Sequence, residues 1–148
     1  MKPKTIILAA LLGTAAMYST AQSIVEWGYC GANAGGGRNL TWALYSDSML
    51  IISGSGAMAD YNPLSLTTPV YAPWYSYQGQ IQTIIIESGI ATIGSGAFYA
   101  CNSLTSFDVN ANNPTYASAN GVLFNKAKTL LIQYPRNRPD TNRPSYPN

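Results

Sequence analysis

The chain repeats itself at a displacement of 23 residues, and this constrains its fold more than any other feature. Ile81-x-x-Ile84-x-Ile86 reappears as Leu104-x-x-Phe107-x-Val109, every apolar position shifted by the same amount. A repeat of this length describes a chain that winds, each turn burying its apolar side by stacking on its neighbours. Alternate strand residues point to opposite faces. Ile84 and Ile86 are therefore expected inside, with Thr83, Ile85 and Glu87 on the outer face. Phe107 and Val109 repeat the pattern, leaving Ser106, Asp108 and Asn110 outside. After Ser88-Gly89, the spacing of Ile90, Ile93, Ala97, Phe98 and Cys101 predicts a helical or irregular return with an apolar inner side. The fold class that follows is mainly β with short helical turns, in a solenoid.

Two such turns bury too little apolar surface to offset the conformational entropy of ordering them, so the flanking chain must close the stack. Upstream, three extended segments are expected at Ile24–Tyr29, 39–45 and 49–53, and Trp27 and Trp42 inside them are read as core. Segment 61–80 carries Tyr61, Tyr71, Trp74, Tyr75 and Tyr77 among prolines and reads as an irregular lid. Downstream, Asn120-Gly121 signals a turn, with an extended run at 122–124 and a return at 129–134.

The amino terminus carries an export signature. Lys2 and Lys4 precede an apolar run at 6–17, and Ser19-Thr20-Ala21 offers small residues for cleavage after Ala21. The run is too short to cross a bilayer, so no transmembrane segment is expected. Two of the eight basic residues leave with this leader, and the six that remain balance six acidic ones. Those six are scattered as Arg38, Lys126, Lys128, Arg136, Arg138 and Arg143, with no basic stripe, which argues against nucleic acid as a partner. The chain has no histidine and no C-x-x-C, so neither a metal nor another cofactor is expected. Cys30 and Cys101 either form a bridge closing a long loop or remain two buried thiols. The inward position of Cys101 favours the thiols.

Several stretches resemble one family. Cys30-Gly31, Leu40-Thr41-Trp42, the run from Leu50 through Gly54-Ser55-Gly56 to Met58, and Pro73-Trp74 are similar to the amino-terminal cap of BspA-like leucine-rich-repeat proteins. Residues 90–101, reading I-A-T-I-G-S-G-A-F-Y-A-C, resemble their repeat core, and 121–126 with 130–135 resembles their hairpin variant. The resemblance implies a leucine-rich-repeat-type solenoid with an N-terminal β cap. It also implies a bacterial surface or secreted protein that adheres to host or bacterial surface proteins or glycans. The expected organisation is a signal peptide at 1–21, a β cap with aromatic lid at 22–80, repeat coils and terminal hairpin at 81–135, and a mobile Pro- and Arg-rich tail at 136–148.

The candidate ligand-binding residues are the outward strand positions Thr83, Ile85, Glu87, Ser106 and Asp108, joined by Trp74, Tyr75 and Tyr77 of the lid, whose rings suit stacking. No catalytic residue is assigned. Glu87 and Asp108 would be diagonal neighbours at a spacing compatible with an inverting glycosidase, but nothing in the sequence builds a water-excluding pocket around them. The expectation is an exported, non-catalytic binding module. A structural cap fragment of a longer repeat protein is the alternative, and a carbohydrate-acting enzyme comes third.

Overall fold

The computed structural model describes residues 22–33 and 36–139. The leader expected at 1–21 and the tail beyond 139 lie outside the described residues. The described chain is mainly β, and its one helical element is a short 3-10 turn at Tyr75–Tyr77.

Three antiparallel strands begin the chain: β1 (Ile24–Tyr29), β2 (Leu40–Tyr45) and β3 (Met49–Gly54). Strict alternation in β2 and β3 buries Leu40, Trp42, Leu44, Leu50 and Ile52. After the two-residue β4 (Gly56–Ala57), the chain crosses to β5 (Thr83–Ile86), makes β6 (Ile90–Thr92), and crosses again to β7 (Ser106–Val109). One five-stranded sheet results, in the order β1-β2-β3-β5-β7, antiparallel on its first side and parallel from β3 onward.

The parallel register carries the repeat. Ile84 pairs with Phe107 and Ile86 with Val109, and these four side chains are buried as the alternation predicts. Hydrogen bonds repeat at the same 23-residue separation: Thr83 Oγ1 to Ser106 Oγ at 3.2 Å, Trp74 Nε1 to the Ala97 carbonyl at 2.9 Å, and the Ile93 amide to Tyr116 Oη at 3.0 Å.

A third strand joins this ladder beyond the two the repeat announces. β3 pairs with β5 in parallel, Leu50 beside Ile84 and Ile52 beside Ile86. The sequence hides it because Asp47 stands where Ile81 and Leu104 supply the first apolar position, and because Leu50 precedes Ile84 by 34 residues rather than 23.

The return after β5 is not helical at its start. β6 pairs in parallel with β4, Gly56 beside Ile90, to make a second small sheet. Close approach of the two successive turns explains Gly94, where an added Cβ would lie 1.7 Å from the Ala59 carbonyl oxygen. The core fills the space between the large sheet and these returns, centred on Trp74. Its ring lies 5.9 Å from Trp42, 6.0 Å from Tyr61 and 6.1 Å from Phe98, and Phe98 in turn meets Phe107 at 5.4 Å. Cys30 and Cys101 are free thiols inside this core, and burial pushes them up to about 12 and about 11.

The last sheet comprises β8 (Tyr116–Ala119), β9 (Val122–Asn125) and β10 (Leu131–Gln133), in the order β10-β9-β8. Asn120 and Gly121 take φ of 50° and 78° between the paired Ala119 and Val122. Positive φ at both central residues is what a two-residue hairpin of type I′ requires. This hairpin lies against the outer edge of β7, where the Phe107 amide donates to the Gly121 carbonyl at 2.8 Å and the Val109 amide to Ser118 Oγ at 3.1 Å. The first tail residues are also held. The Asn137 amide donates to the Leu104 carbonyl at 2.8 Å and the Arg136 guanidinium to Asn102 Oδ1 at 3.1 Å, so the segment expected to be mobile from 136 onward is hydrogen-bonded to the preceding coil at 136–137.

One buried polar residue ties the parts together. Asn113 is fully buried, and its Nδ2 donates to the carbonyls of Glu87 (2.9 Å) and Ile90 (3.1 Å). Its Oδ1 accepts the amides of Thr115 and Tyr116, both at 2.8 Å. Every hydrogen-bonding capacity that matters is filled, which is the condition for burying an amide without penalty.

Candidate functional site

Residues paired across adjacent strands project to the same face. The register therefore writes out the outer surface of the large sheet as rows. The central row runs Trp27, Ala43, Ile51, Ile85, Asp108. On one side of it lie Met49, Thr83 and Ser106, and on the other Tyr29, Thr41 and Ser53. Thr83, Ile85, Ser106 and Asp108, expected outside from alternation alone, do stand together here. Ile85 is half-buried between its row neighbours and Asp108 is exposed. Glu87 follows the end of β5, and its carboxylate accepts a 3.0 Å hydrogen bond from Asn110 Nδ2, so it is engaged within the face.

Trp27 corrects an expectation. It is 55% exposed on the outer face rather than part of the core. The cause is the phase of β1: Gly28 pairs with Trp42 on the inner side, where an added Cβ would lie 2.9 Å from the indole nitrogen. Glycine is thus the residue that admits the buried Trp42 ring beneath the strand, and Trp27 turns outward. There its ring meets Tyr29 edge-on at 5.9 Å, and the Arg38 guanidinium stands 5.6 Å over the Tyr29 ring. Alternation in β1 alone would point Val25, Trp27 and Tyr29 inward. Only the pairing with β2 shows that Trp27 and Tyr29 face outward, so sequence reasoning missed them.

The lid residues separate. Trp74 is 1% exposed, with its Nε1 bonded to the Ala97 carbonyl, and has no face to offer a ligand. It is a core residue, because the rings of Trp42, Tyr61 and Phe98 enclose it. Tyr77 packs partly buried against that core. Tyr75 remains at the surface between Tyr71 and Tyr99.

Among the described residues no three His, Cys, Asp or Glu side chains come together to hold a metal. No helix among them is long and apolar enough to cross a membrane.

No protein-family model matches the chain, and no curated protein matches it. The chain is similar to a solved structure, a leucine-rich repeat protein from Eubacterium ventriosum, at 18% identity and a TM-score of 0.36. The match covers 82% of this chain and 53% of the other, so the chain spans about half the length of that protein.

Proposed function

We propose that the protein is an exported, non-catalytic binding module, built as a short leucine-rich-repeat-type solenoid of the BspA-like kind, that engages a surface protein or glycan through the outer face of its large sheet. The observation that carries this reading is the central row. It passes from an exposed indole through Ala43, Ile51 and Ile85 to an exposed carboxylate on a rigid, hydrogen-bonded floor. Aromatic anchors beside small and aliphatic side chains are what a partner buries first, and a polar rim fixes orientation. β1–β2–β3 would then close the amino-terminal side of the stack. Export rests on the charged, apolar and small-residue leader at 1–21.

The test separates face from core before it asks about binding. Ile85→Asp should leave folding and melting nearly unchanged, whereas Ile84→Asp should unfold the protein by burying an unpaired charge. The protein is then screened against matrix proteins and mucin glycans. Ile85→Asp and Trp27→Ala should each weaken whatever binding is found by tenfold or more. Binding that persists in both folded variants would move the site off this face. The absence of any binding would favour the structural-cap alternative.

A further inference from the structure

Two strands of the described chain have an uncovered edge, one toward each end of the stack. β1 is the first strand of the five-stranded sheet and pairs only with β2, and β10 is the outer strand of the three-stranded sheet and pairs only with β9. The far edge of the large sheet differs, because the hairpin covers β7. An uncovered edge is a template for another strand, and soluble proteins ordinarily blunt it with lysine or proline. Neither β1 nor β10 contains either residue. Instead each offers aliphatic side chains: Ile24 and Val25 are 39% and 42% exposed on β1, and Leu131 and Ile132 are 53% and 40% exposed on β10. The register shift that each strand shows against its inner partner bends it without closing its outer side. One amide of β1 already looks outside the ladder, since Trp27 N–H donates to the carboxylate of the preceding Glu26 at 3.2 Å. A docked strand can offer a carbonyl in its place and release Glu26 to a cation.

The two ends differ in charge. Beyond Asp108 the described residues hold four cations and no carboxylate, and these cations flank β10: Lys126 and Lys128 in the turn before it, Arg136 and Arg138 after it. β1 carries exposed Glu26, and exposed Asp47 lies beside its start, two residues past the Tyr45 that pairs with Ile24. The cation near β1 is Arg38, held over the Tyr29 ring at the opposite end of the strand. Pairing β1 with a second β1 would bring carboxylates toward their own kind, and pairing β10 with a second β10 would set four cations against four. Only unlike ends bring opposite charges together, so the electrostatics favour one pairing and oppose the other two.

We propose that the protein assembles head to tail with further copies of itself, the β10 edge of one molecule adding as a strand to the β1 edge of the next. Backbone hydrogen bonds between the edges and contact of Leu131 and Ile132 with Ile24 and Val25 supply the attraction, and Glu26 and Asp47 against the cations fix the polarity. Such a contact leaves one β1 and one β10 unused at the ends of a pair, so growth continues into an open chain or a closed ring. The contact uses strand edges, whereas the proposed partner surface is the outer face of the sheet.

Sedimentation equilibrium of the full chain tests this. Its average mass should rise with concentration from about 5 to about 500 µM, the range in which small interfaces associate. Added salt should weaken the association, because the opposed charges are exposed and screened. Val25→Lys on β1 and Leu131→Glu on β10 each set a like charge against the opposite end, and each variant alone should stay monomeric. An equimolar mixture of the two should associate again, because the intact β10 of the first meets the intact β1 of the second. Glu26→Lys and Lys128→Glu, which leave the aliphatic edges in place, should each weaken association about threefold or more. Ile85→Asp should leave it unchanged. Melting of each variant within a few degrees of the unmodified protein separates lost assembly from lost folding. A chain that stays monomeric throughout overturns the proposal, as does a mixture that fails to associate. Association that survives Val25→Lys or Leu131→Glu alone overturns it by revealing pairing of like ends, and association that strengthens with salt overturns the role of charge. Binding of a monomeric chain to phosphatidylglycerol vesicles, without self-association, would overturn it by assigning the cationic end to a membrane.

Discussion

Replacing Asn113 with Ala should be among the most damaging single changes a polar position here can suffer. The substitution removes four hydrogen bonds at once and leaves the amides of Thr115 and Tyr116 and the carbonyl of Ile90 without their side-chain partner. At a net contribution of about 1 kcal/mol per hydrogen bond, the loss is about 4 kcal/mol. A domain of ordinary stability has about 5–15 kcal/mol in all, so the variant should sit close to its unfolding transition. Asn113→Asp makes the reasoning sharper. It keeps an oxygen for the two amides but turns a second oxygen toward the carbonyls of Glu87 and Ile90, so at neutral pH it should cost at least as much as Ala. Lowering the pH restores one donor as the carboxyl protonates, and the Asp variant should then recover part of its stability while the Ala variant does not. Urea titration followed by circular dichroism reads both effects as shifts in midpoint at constant slope. An Asn113→Ala protein that loses less than about 1 kcal/mol would refute the view that this residue locks the returns to the hairpin.

Three further outcomes are expected. Gly94→Ala places a methyl group 1.7 Å from the Ala59 carbonyl oxygen, so the β4–β6 turns must separate, with a loss of about 1–3 kcal/mol by thermal melting. Of the three tryptophans, only Trp27 is exposed, so acrylamide should quench one emission component efficiently and Trp27→Phe should abolish that component. The Cys30 and Cys101 thiols should resist a thiol reagent until the protein unfolds. Because their folded values are raised, their contribution is fully present below about pH 9 and is lost as pH rises toward about 11 to 12, at about 1.4 kcal/mol per pH unit and thiol. Replacing both with Ala should flatten that alkaline decline.

The sequence made legible what depends on local periodicity. Ile84, Ile86, Phe107 and Val109 announce both the parallel strands and which face of them is buried, and Asn120-Gly121 announces its turn because two positive-φ residues suit that geometry. What depends on pairing partners was hidden. Leu50 and Ile52 join the same ladder through an irregular 34-residue connection that no fixed period reveals. Trp27 and Tyr29 take the outer face because Gly28 must admit Trp42, a fact about the neighbouring strand rather than about β1. β8 was missed because Tyr116–Ala119 carries little apolar alternation, and its position follows from Asn113 and the hairpin turn. Among the candidate contacts, alternation placed Thr83, Ile85, Ser106 and Asp108 on the outer face, while composition misled at Trp74, whose large ring suits a core as well as a ligand.

The unequal crossovers bear on how such a chain can diversify. Closing a loop of 34 residues rather than 23 costs only about 0.3 kcal/mol more in chain entropy, because the penalty grows with the logarithm of length. The extra residues between β4 and β5 therefore burden the parallel ladder very little. Pro63, Leu64, Leu66 and Val70 lie in that stretch, with Leu66 standing fully clear of the surface. Provided Tyr61, Ala72 and Trp74 are kept to fill the centre, the stretch can lengthen, shorten or change composition while the strands stay in register. Selection acting on partner choice has a segment to work on that is almost decoupled from folding.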